Sequence, residues 1–494
     1  MAVLIARNRA GTGLRAGNYR KEVGRRILAL LAFGFTAALQ AGIPAGSIDD
    51  FIASESPVSG VPGLAYAVVA DGEIRMVGAR GVVRMGGDKA VTPDTPFITG
   101  SISKSFTALA VMQLVEAGKV GLDIEVSNYL AVFSGKPAGA ITIRQLLSHT
   151  SGFSTFKGNS SPKDNPTHKD ALARAVDRLA GVIPAYPPGA KWEYSNLNYQ
   201  ILGRLIEVVS GQTYQSYIAT HILEPVGMAH SFVADGEIHN AMATGHRPWF
   251  ATKQPLAENK TDLGTAPQGG IVASASDLAR YLQMMMNGRD DVLSAMGKAA
   301  MMRPAGAASP FYGFGWFVDT GNGTVYHTGN SPGYESLATM VPAENKGVVV
   351  LVNAGSGIGF GETLQLRNGI AARALGLDYQ GEGSRWSRQT LFISLVLMPV
   401  MFLLSMVWAW FHRRELRAKS GPFGRFSLWF PLFTTLGSAW VIFSLMPGLL
   451  GASFGTLNLF QPDMGLVLIA IPVTGVLWAV FRLAMAYSGK SGPA

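Results

Sequence analysis

Ser101-Ile102-Ser103-Lys104-Ser105-Phe106-Thr107-Ala108-Leu109-Ala110-Val111 follows Thr99-Gly100 and opens an apolar helix read as Ser101 to Ala117. The three-residue spacing places the Ser101 hydroxyl and the Lys104 amine on one face, a single turn apart. Serine is a poor nucleophile until a neighbour takes its proton, and an amine partly buried at a helix start has a lowered pKa that prepares it for that task. The spacing also fits an ordinary solvent-facing helix start. Ser160-Ser161-Pro162-Lys163 repeats it in a segment that reads as a loop.

Two later segments carry groups that suit the same chemistry. Tyr194-Ser195-Asn196 stands about ninety residues on, after Pro188-Gly189 and before a helix read as Tyr199 to Val209. A tyrosine beside a cationic amine can be held partly as phenolate, and an asparagine can orient the amine while donating to a substrate carbonyl. A buried tyrosine next to a turn asparagine is the structural alternative. His327-Thr328-Gly329 reads as a strand, with Asn330-Ser331-Pro332-Gly333-Tyr334 behind it. A strand edge with a small glycine can pair with an extended substrate and offer a backbone N–H to an oxyanion. A lone histidine there is otherwise structural.

Around these segments, Leu64 to Val69 and Ile74 to Val83 flank Asp71-Gly72 as a hairpin. The middle reads as helical at Ile143 to Leu147, Ile201 to Val209 and Leu278 to Met286. Strands return at Phe314 to Val318, Thr324 to Thr328, Ser336 to Val341 and Val348 to Asn353, with a helix near Leu364 to Ala374. Strands from both ends of one domain around a helical insertion make an α/β architecture that is not doubly wound. The Gly-rich stretch Asn353 to Gly361 lacks the spacing and the repeated βαβ context of a dinucleotide site and reads as a turn.

Composition places this domain between apolar segments. Of 494 residues 48% are hydrophobic and 15% charged, which leans towards a membrane protein. Residues 1 to 26 hold seven Lys/Arg against one acid and residues 412 to 425 hold five against one, so the formal net charge of +9 leaves the rest near −1. No basic face remains to follow a phosphate backbone, so nucleic acid is excluded as a partner. There is no cysteine, hence no disulfide framework and no thiolate. A basic stretch ending in Arg25-Arg26, the apolar run Ile27 to Leu39 and small residues at Ala41 to Gly46 read as a signal peptide or, uncleaved, a signal anchor over 1–45. Thr390 to Phe411, Phe426 to Leu450 and Met464 to Tyr487 are each long and apolar enough to cross a bilayer, giving a membrane region over 386–494. His412 to Arg425 is basic while Gly451 to Asp463 has no Lys or Arg, so the first connector is expected in the cytoplasm and residues 46–385 outside it. Pro431 and Pro447 are expected to kink or end the second span.

Taken together, Ser-x-x-Lys at Ser101 and Lys104, Tyr-x-Asn at Tyr194 and Asn196 and His-Thr-Gly at His327 to Gly329 resemble the three signatures of class C β-lactamases, D,D-carboxypeptidases, D-aminopeptidases and related esterases (peptidase S12-like). Thr92-Pro93-Asp94-Thr95, Leu146 to Gly152 and Gly269 to Ser274 fit the same family, and the match runs over about residues 50 to 375. The resemblance implies a β-lactamase/transpeptidase-like fold, an antiparallel sheet flanked by helices with a helical subdomain, here followed by three transmembrane helices. It implies that Ser101 is acylated, that Lys104 and Tyr194 share the base role, and that Asn196, His327, Thr328, Gly329 and Asn330 bind substrate. The backbone N–H groups of Ser101 and Asn330 would form the oxyanion hole. His149 is expected to stabilise a helix end or loop. No metal or organic cofactor is implied.

Two departures bear on the substrate. His327 replaces the usual lysine of the third motif and, mostly neutral at pH 7, offers less attraction to a carboxylate, which disfavours strong β-lactamase activity. A hydrolase domain followed by three spans is similar to peptidases that remove an acylated D-amino-acid leader from natural-product precursors, as in colibactin maturation. The colibactin-maturation peptidase carries Ser where Asn196 stands and Asn where Gly333 stands, which puts D-Asn specificity in doubt. The expected substrate is a small peptide, amide or ester, with esterase or β-lactamase chemistry as the nearest alternative. A non-catalytic penicillin-binding-type sensor is the alternative of another class.

Overall fold

The computed structural model describes residues 47–160 and 168–488. The expected export segment and Ser161 to Lys163 of the repeated Ser-x-x-Lys spacing lie outside them. β1 (Gly63–Ala70) and β2 (Glu73–Gly81) form the first hairpin. It turns at Asp71 and Gly72 with φ of 53° and 75°, as a two-residue Asp-Gly connection requires. β3 (Phe97–Ile98), β4 (Phe232–Val233), β5 (His246–Trp249), β6 (Thr252–Pro255) and β7 (Ile271–Ala273) come from the middle of the chain. β8 (Phe317–Asp319), β9 (Thr324–Ser331), β10 (Tyr334–Val341) and β11 (Lys346–Val352) follow late.

The main sheet is antiparallel in the order β2-β1-β11-β10-β9-β8, so strands from both ends of the domain share it. Period-two alternation explains why it is covered on both faces. Ala65, Ala67 and Val69 of β1 join the large core with the helices Ser103–Glu116 and Ala275–Met286. Leu64, Tyr66 and Val68 point the other way, into a smaller core with the helices Ile48–Ser59 and Leu364–Leu375. Each valine or leucine among them that is withdrawn from water contributes about 1.5–3 kcal/mol.

One late strand begins later than its sequence suggests. Phe314 to Val318 was expected extended, but Gly315 bends at φ 76°, and a β-carbon there would lie 2.7 Å from the Ser105 Cα. The chain is pressed onto the helix that carries Lys104, and β8 starts only at Phe317. A second sheet, β3-β7-β4, escaped the sequence reading because two or three residues are too few to show alternation.

Three helices beyond the sheet are long and apolar enough to cross a membrane: Arg385–Phe411, Gly421–Leu450 and Pro462–Tyr487. The second contains Pro431 without ending there, and relaxes into a wider π-helical turn at Val441–Leu445 just before Pro447. The stretch between the second and third helices, read as a plain connector, contains a helix of its own, Phe454–Phe460, capped by the Ser453 hydroxyl. The first long helix is tied to the sheet domain at its start, where Arg385 pairs with Glu55 and Arg388 with Glu362.

Candidate active site

Ser101 lies in a short 3-10 turn, Gly100–Ile102, that runs into the buried helix Ser103–Glu116. The turn is pinned to the small sheet: the Ile271 N–H donates to Ser103 Oγ at 2.8 Å and the Thr99 hydroxyl donates to the Ile271 carbonyl at 2.8 Å. One turn along the helix, Lys104 is fully buried. Its Nζ has three neighbours, Ser101 Oγ at 3.0 Å, Asn196 Oδ1 at 2.9 Å and the Gln268 carbonyl at 2.8 Å. Two of these are carbonyl-type oxygens that can only accept. A neutral amine has two N–H bonds and one lone pair, so donation to Asn196 and Gln268 leaves the lone pair directed at the Ser101 hydroxyl. Burial pushes the Lys104 ammonium well below its ordinary pKa, which favours that neutral form.

Tyr194 also reaches Ser101, its hydroxyl donating to Ser101 Oγ at 2.9 Å, with the Lys104 amine 4.9 Å from the centre of its ring. Burial raises the phenol above its ordinary range, an effect opposed by the hydrogen bond to Ser101. Burial thus favours the neutral form of both groups, the phenol of Tyr194 and the amine of Lys104. Tyr194 and Asn196 flank Ser195, the cap residue of the helix Asn196–Ser210. The Ser195 N–H donates to His149 Nδ1 at 3.1 Å, and the Tyr194 carbonyl accepts from the Thr155 hydroxyl at 2.7 Å.

The third segment is the second half of β9. Pro332-Gly333 turns β9 into β10, with Ser331 paired to Tyr334 and Gly329 to Ser336. In an antiparallel ladder closed by a two-residue turn, those pairs exchange the hydrogen bonds, so the backbone groups of Thr328 and Asn330 face the other side. On that side β8 pairs only with Thr324 to Tyr326, which leaves the Thr328–Asn330 edge free of strand partners among the described residues. Gly329 is required by proximity, since a β-carbon there would lie 1.8 Å from the Thr99 carbonyl oxygen. The strand edge is thereby pressed against the turn that carries Ser101, and a β-carbon on Gly100 would lie 2.6 Å from the Asn330 nitrogen.

His327 lies beneath this edge, 1% exposed. Its Nδ1 meets the Thr328 carbonyl at 2.8 Å and its Nε2 meets the Tyr312 hydroxyl at 3.3 Å, so both ring nitrogens are engaged within the protein. Burial, helped by the Lys104 amine, holds its pKa down at about 3. The site thus has no cation where a lysine in the third motif would supply one.

Sequence reasoning missed three neighbours, Gln268, Tyr312 and Asn159, and expected a fourth, His149, only as a support of a helix end or loop. Gln268 acts through a backbone carbonyl, which no side-chain motif reveals. Tyr312 arrives from a loop, and Asn159 from the short helix Thr155–Ser160, where it accepts from Asn196 Nδ2 at 2.9 Å. His149 packs against Tyr194, with ring centroids 4.3 Å apart. The pattern Ser148-His149-Thr150-Ser151-Gly152 was the available signal for it.

Comparison with known proteins bears on the family and the fold. The family model described as Beta-lactamase matches residues 48–372. Penicillin-binding protein 4 of Amycolatopsis lactamdurans is 33% identical over 324 residues, 61% of this chain and 83% of that protein. Protein flp of Staphylococcus aureus (strain MRSA252) is 28% identical over 63% of this chain, and the match spans only 63% of that longer protein. Among solved structures, the octameric penicillin-binding protein homologue from Pyrococcus abyssi superposes with a TM-score of 0.57 at 26% identity, covering 68% of this chain and 78% of its own.

Proposed function

Because the chain belongs to the β-lactamase family, whose members include serine hydrolases, we propose that it is a membrane-anchored hydrolase that cleaves amide or ester bonds through an acyl-Ser101 intermediate. Its substrates are peptides that contain a D-amino acid or an acylated residue, and it acts on them as a peptidase or amidase. The observation that carries this reading is the meeting of Lys104 Nζ and the Tyr194 hydroxyl at Ser101 Oγ, 3.0 and 2.9 Å away.

Ser101 Oγ attacks the substrate carbonyl carbon as its proton passes to the Lys104 lone pair. The tetrahedral oxyanion is held by the N–H groups of Ser101 and Asn330 at the open β9 edge. The carbonyl–heteroatom bond then breaks, and the leaving amine or alkoxide takes a proton from Tyr194, which is reprotonated at the expense of the Lys104 ammonium. Water enters the vacated place, gives a proton to the same pair and attacks the acyl carbon. The acid leaves, and Ser101 recovers its hydrogen. Asn196 and the Thr328–Asn330 edge align the substrate backbone. With His327 neutral, a substrate whose reacting region carries a carboxylate gains little attraction, so neutral amides and esters are favoured.

The three apolar helices anchor this domain to a bacterial inner membrane. The basic stretch Arg413 to Arg425 faces the cytoplasm, which puts the catalytic domain on the periplasmic or extracellular side.

The test is to expose the purified full chain to a fluorescent penicillin, a fluorophosphonate and a panel of D-aminoacyl amides and esters. Covalent label on Ser101, lost in Ser101→Ala, with hydrolysis of the amides, is expected. Hydrolysis of the esters alone would remove the peptidase assignment. A folded protein inert to every probe would favour a sensor.

A further inference from the structure

The amide of Asn196 lies between the catalytic amine and a second amide, and the direction in which each points has consequences for Ser101. Asn196 Oδ1 accepts from Lys104, so its Nδ2 faces away and donates to Asn159 Oδ1 at 2.9 Å. Asn159 Nδ2 in turn donates to the backbone carbonyl of Gly451 at 3.0 Å, in the connector between the second and third long helices. The Thr456 hydroxyl, on the helix Phe454–Phe460 of the same connector, donates to the Asn159 carbonyl at 2.5 Å. Packing holds this arrangement from the other side. Gly158 lies so close to Asn196 that a β-carbon there would be 2.8 Å from the Asn196 nitrogen and 2.8 Å from Ser195 Oγ.

The polarity of this row runs in one direction. A carbonyl oxygen can only accept, so Gly451 requires the NH2 side of Asn159, which leaves its oxygen for Asn196. That oxygen requires the NH2 side of Asn196, which leaves the Asn196 oxygen for Lys104. A lysine that donates to Asn196 and to Gln268 has only its lone pair left for Ser101. Were Asn196 to turn over, its NH2 would face the amine and compete with Ser101 for that lone pair.

We propose that Asn159 is a positioning residue through which the connector between the second and third long helices orients the Lys104 lone pair towards Ser101, so that the apolar helical region helps to build the active site as well as to anchor it. The inference rests on the assignment of Lys104 as the proton acceptor.

The test uses the full chain in detergent or vesicles, with a fluorophosphonate to count reactive sites and a neutral D-aminoacyl ester as substrate. In Asn159→Ala the acylation rate and kcat per titrated site fall about tenfold or more at every pH, while KM stays within about twofold. Asn159→Asp keeps an acceptor for Asn196 but loses the N–H that ties it to the Gly451 carbonyl, so its maximal rate falls, though less than that of Asn159→Ala. Its carboxylate favours the charged form of Lys104, so the acidic limb of its rate profile moves to higher pH. A merely structural role would lower the number of titrated sites and the melting temperature without moving that limb. Thr456→Val, which loosens Asn159 without touching Asn196, gives a smaller loss of the same kind and covers the case in which Asn159→Ala fails to fold. An Asn159→Ala protein with unchanged rate per site, or an Asn159→Asp profile that superposes on that of the unsubstituted chain, overturns the proposal. Ser101→Ala run alongside separates the two levels: persistent labelling there would remove the hydrolase mechanism itself, whereas its loss with an unaffected Asn159→Ala removes only the role of the connector.

Discussion

His149 packs its ring against that of Tyr194, centroids 4.3 Å apart and planes tilted by 32°, while its Nδ1 faces the Ser195 N–H at 3.1 Å and Asn198 Nδ2 at 3.0 Å. With two donors on Nδ1 the ring is the neutral Nε2–H tautomer. Its backbone sits at φ 59°, a region that asparagine enters more readily than most residues. His149→Ala leaves the buried Ser195 N–H unpaired, a loss of about 1–3 kcal/mol, and lets the Tyr194 ring move. The expected outcome is a lower melting temperature together with a lower kcat per titrated site. His149→Asn should keep more of both. An alanine variant with native melting and native kcat would show that Tyr194 is held by other contacts.

Burial also makes the two site histidines acid-sensitive elements of the fold. Both have their pKa lowered, chiefly by desolvation, His149 well below 6.5 and His327 to about 3. As pH falls below about 6.5 the unfolded chain binds protons that the folded chain refuses, so stability drops through the window down to the folded pKa values. Above about 6.5 this contribution is fully present. Thermal melts between pH 7 and pH 4 should fall more steeply for the unsubstituted chain than for His327→Gln, and parallel curves would exclude the histidine as a source of acid lability.

Much of the arrangement around Ser101 was legible because each group sits in a short, strongly patterned segment. The Asp71-Gly72 hairpin, the helix after Ser101 and the late strands follow from alternation and turn chemistry, which act over a few residues. What stayed hidden depends on tertiary contact. Gln268 contributes only a carbonyl oxygen, and Asn159 gains meaning solely from a connector about 290 residues later. His327 read as a substrate-facing group of moderate polarity. Its ring nitrogens are engaged by the Thr328 carbonyl and by Tyr312, which no periodicity ties to it.

The start of the first long helix should behave as a separate clamp. Arg388 pairs with both oxygens of Glu362, which also accepts the Gly359 N–H at 3.2 Å, and Arg385 pairs with Glu55. Replacing Arg385 and Arg388 together by Gln leaves two largely buried carboxylates without their partners, which costs far more than an exposed ion pair would. Limited proteolysis should then cut faster within residues 377–384. The row from Gly451 to Lys104 does not pass through this clamp, so labelling of Ser101 per folded molecule should stay within about twofold. Faster cleavage accompanied by a large loss of labelling would mean that the clamp, too, helps set the site.

The Lys104 amine should leave a signature in both rate and stability. Its folded pKa is lowered well below 10.5 by burial alone, so it becomes a usable base as pH rises through that lowered value, and the acylation rate should climb there and then level off. Lys104→Arg puts a group that stays protonated in the same place and should lower acylation by about 10²–10⁴-fold at all accessible pH. The stability sign is the same as that of the histidines, and only the window differs. Between the folded pKa and 10.5 the unfolded chain binds a proton that the folded chain lacks, so the burial of Lys104 is destabilising near neutrality and stability recovers as pH approaches 10.5. Lys104→Met removes this titration, and the difference in melting temperature between it and the unsubstituted chain should shift in favour of the latter from pH 7 to pH 9.5. A difference that stays constant over that range would mean the amine is charged in the folded site, and the lone-pair geometry at Ser101 would have to be abandoned.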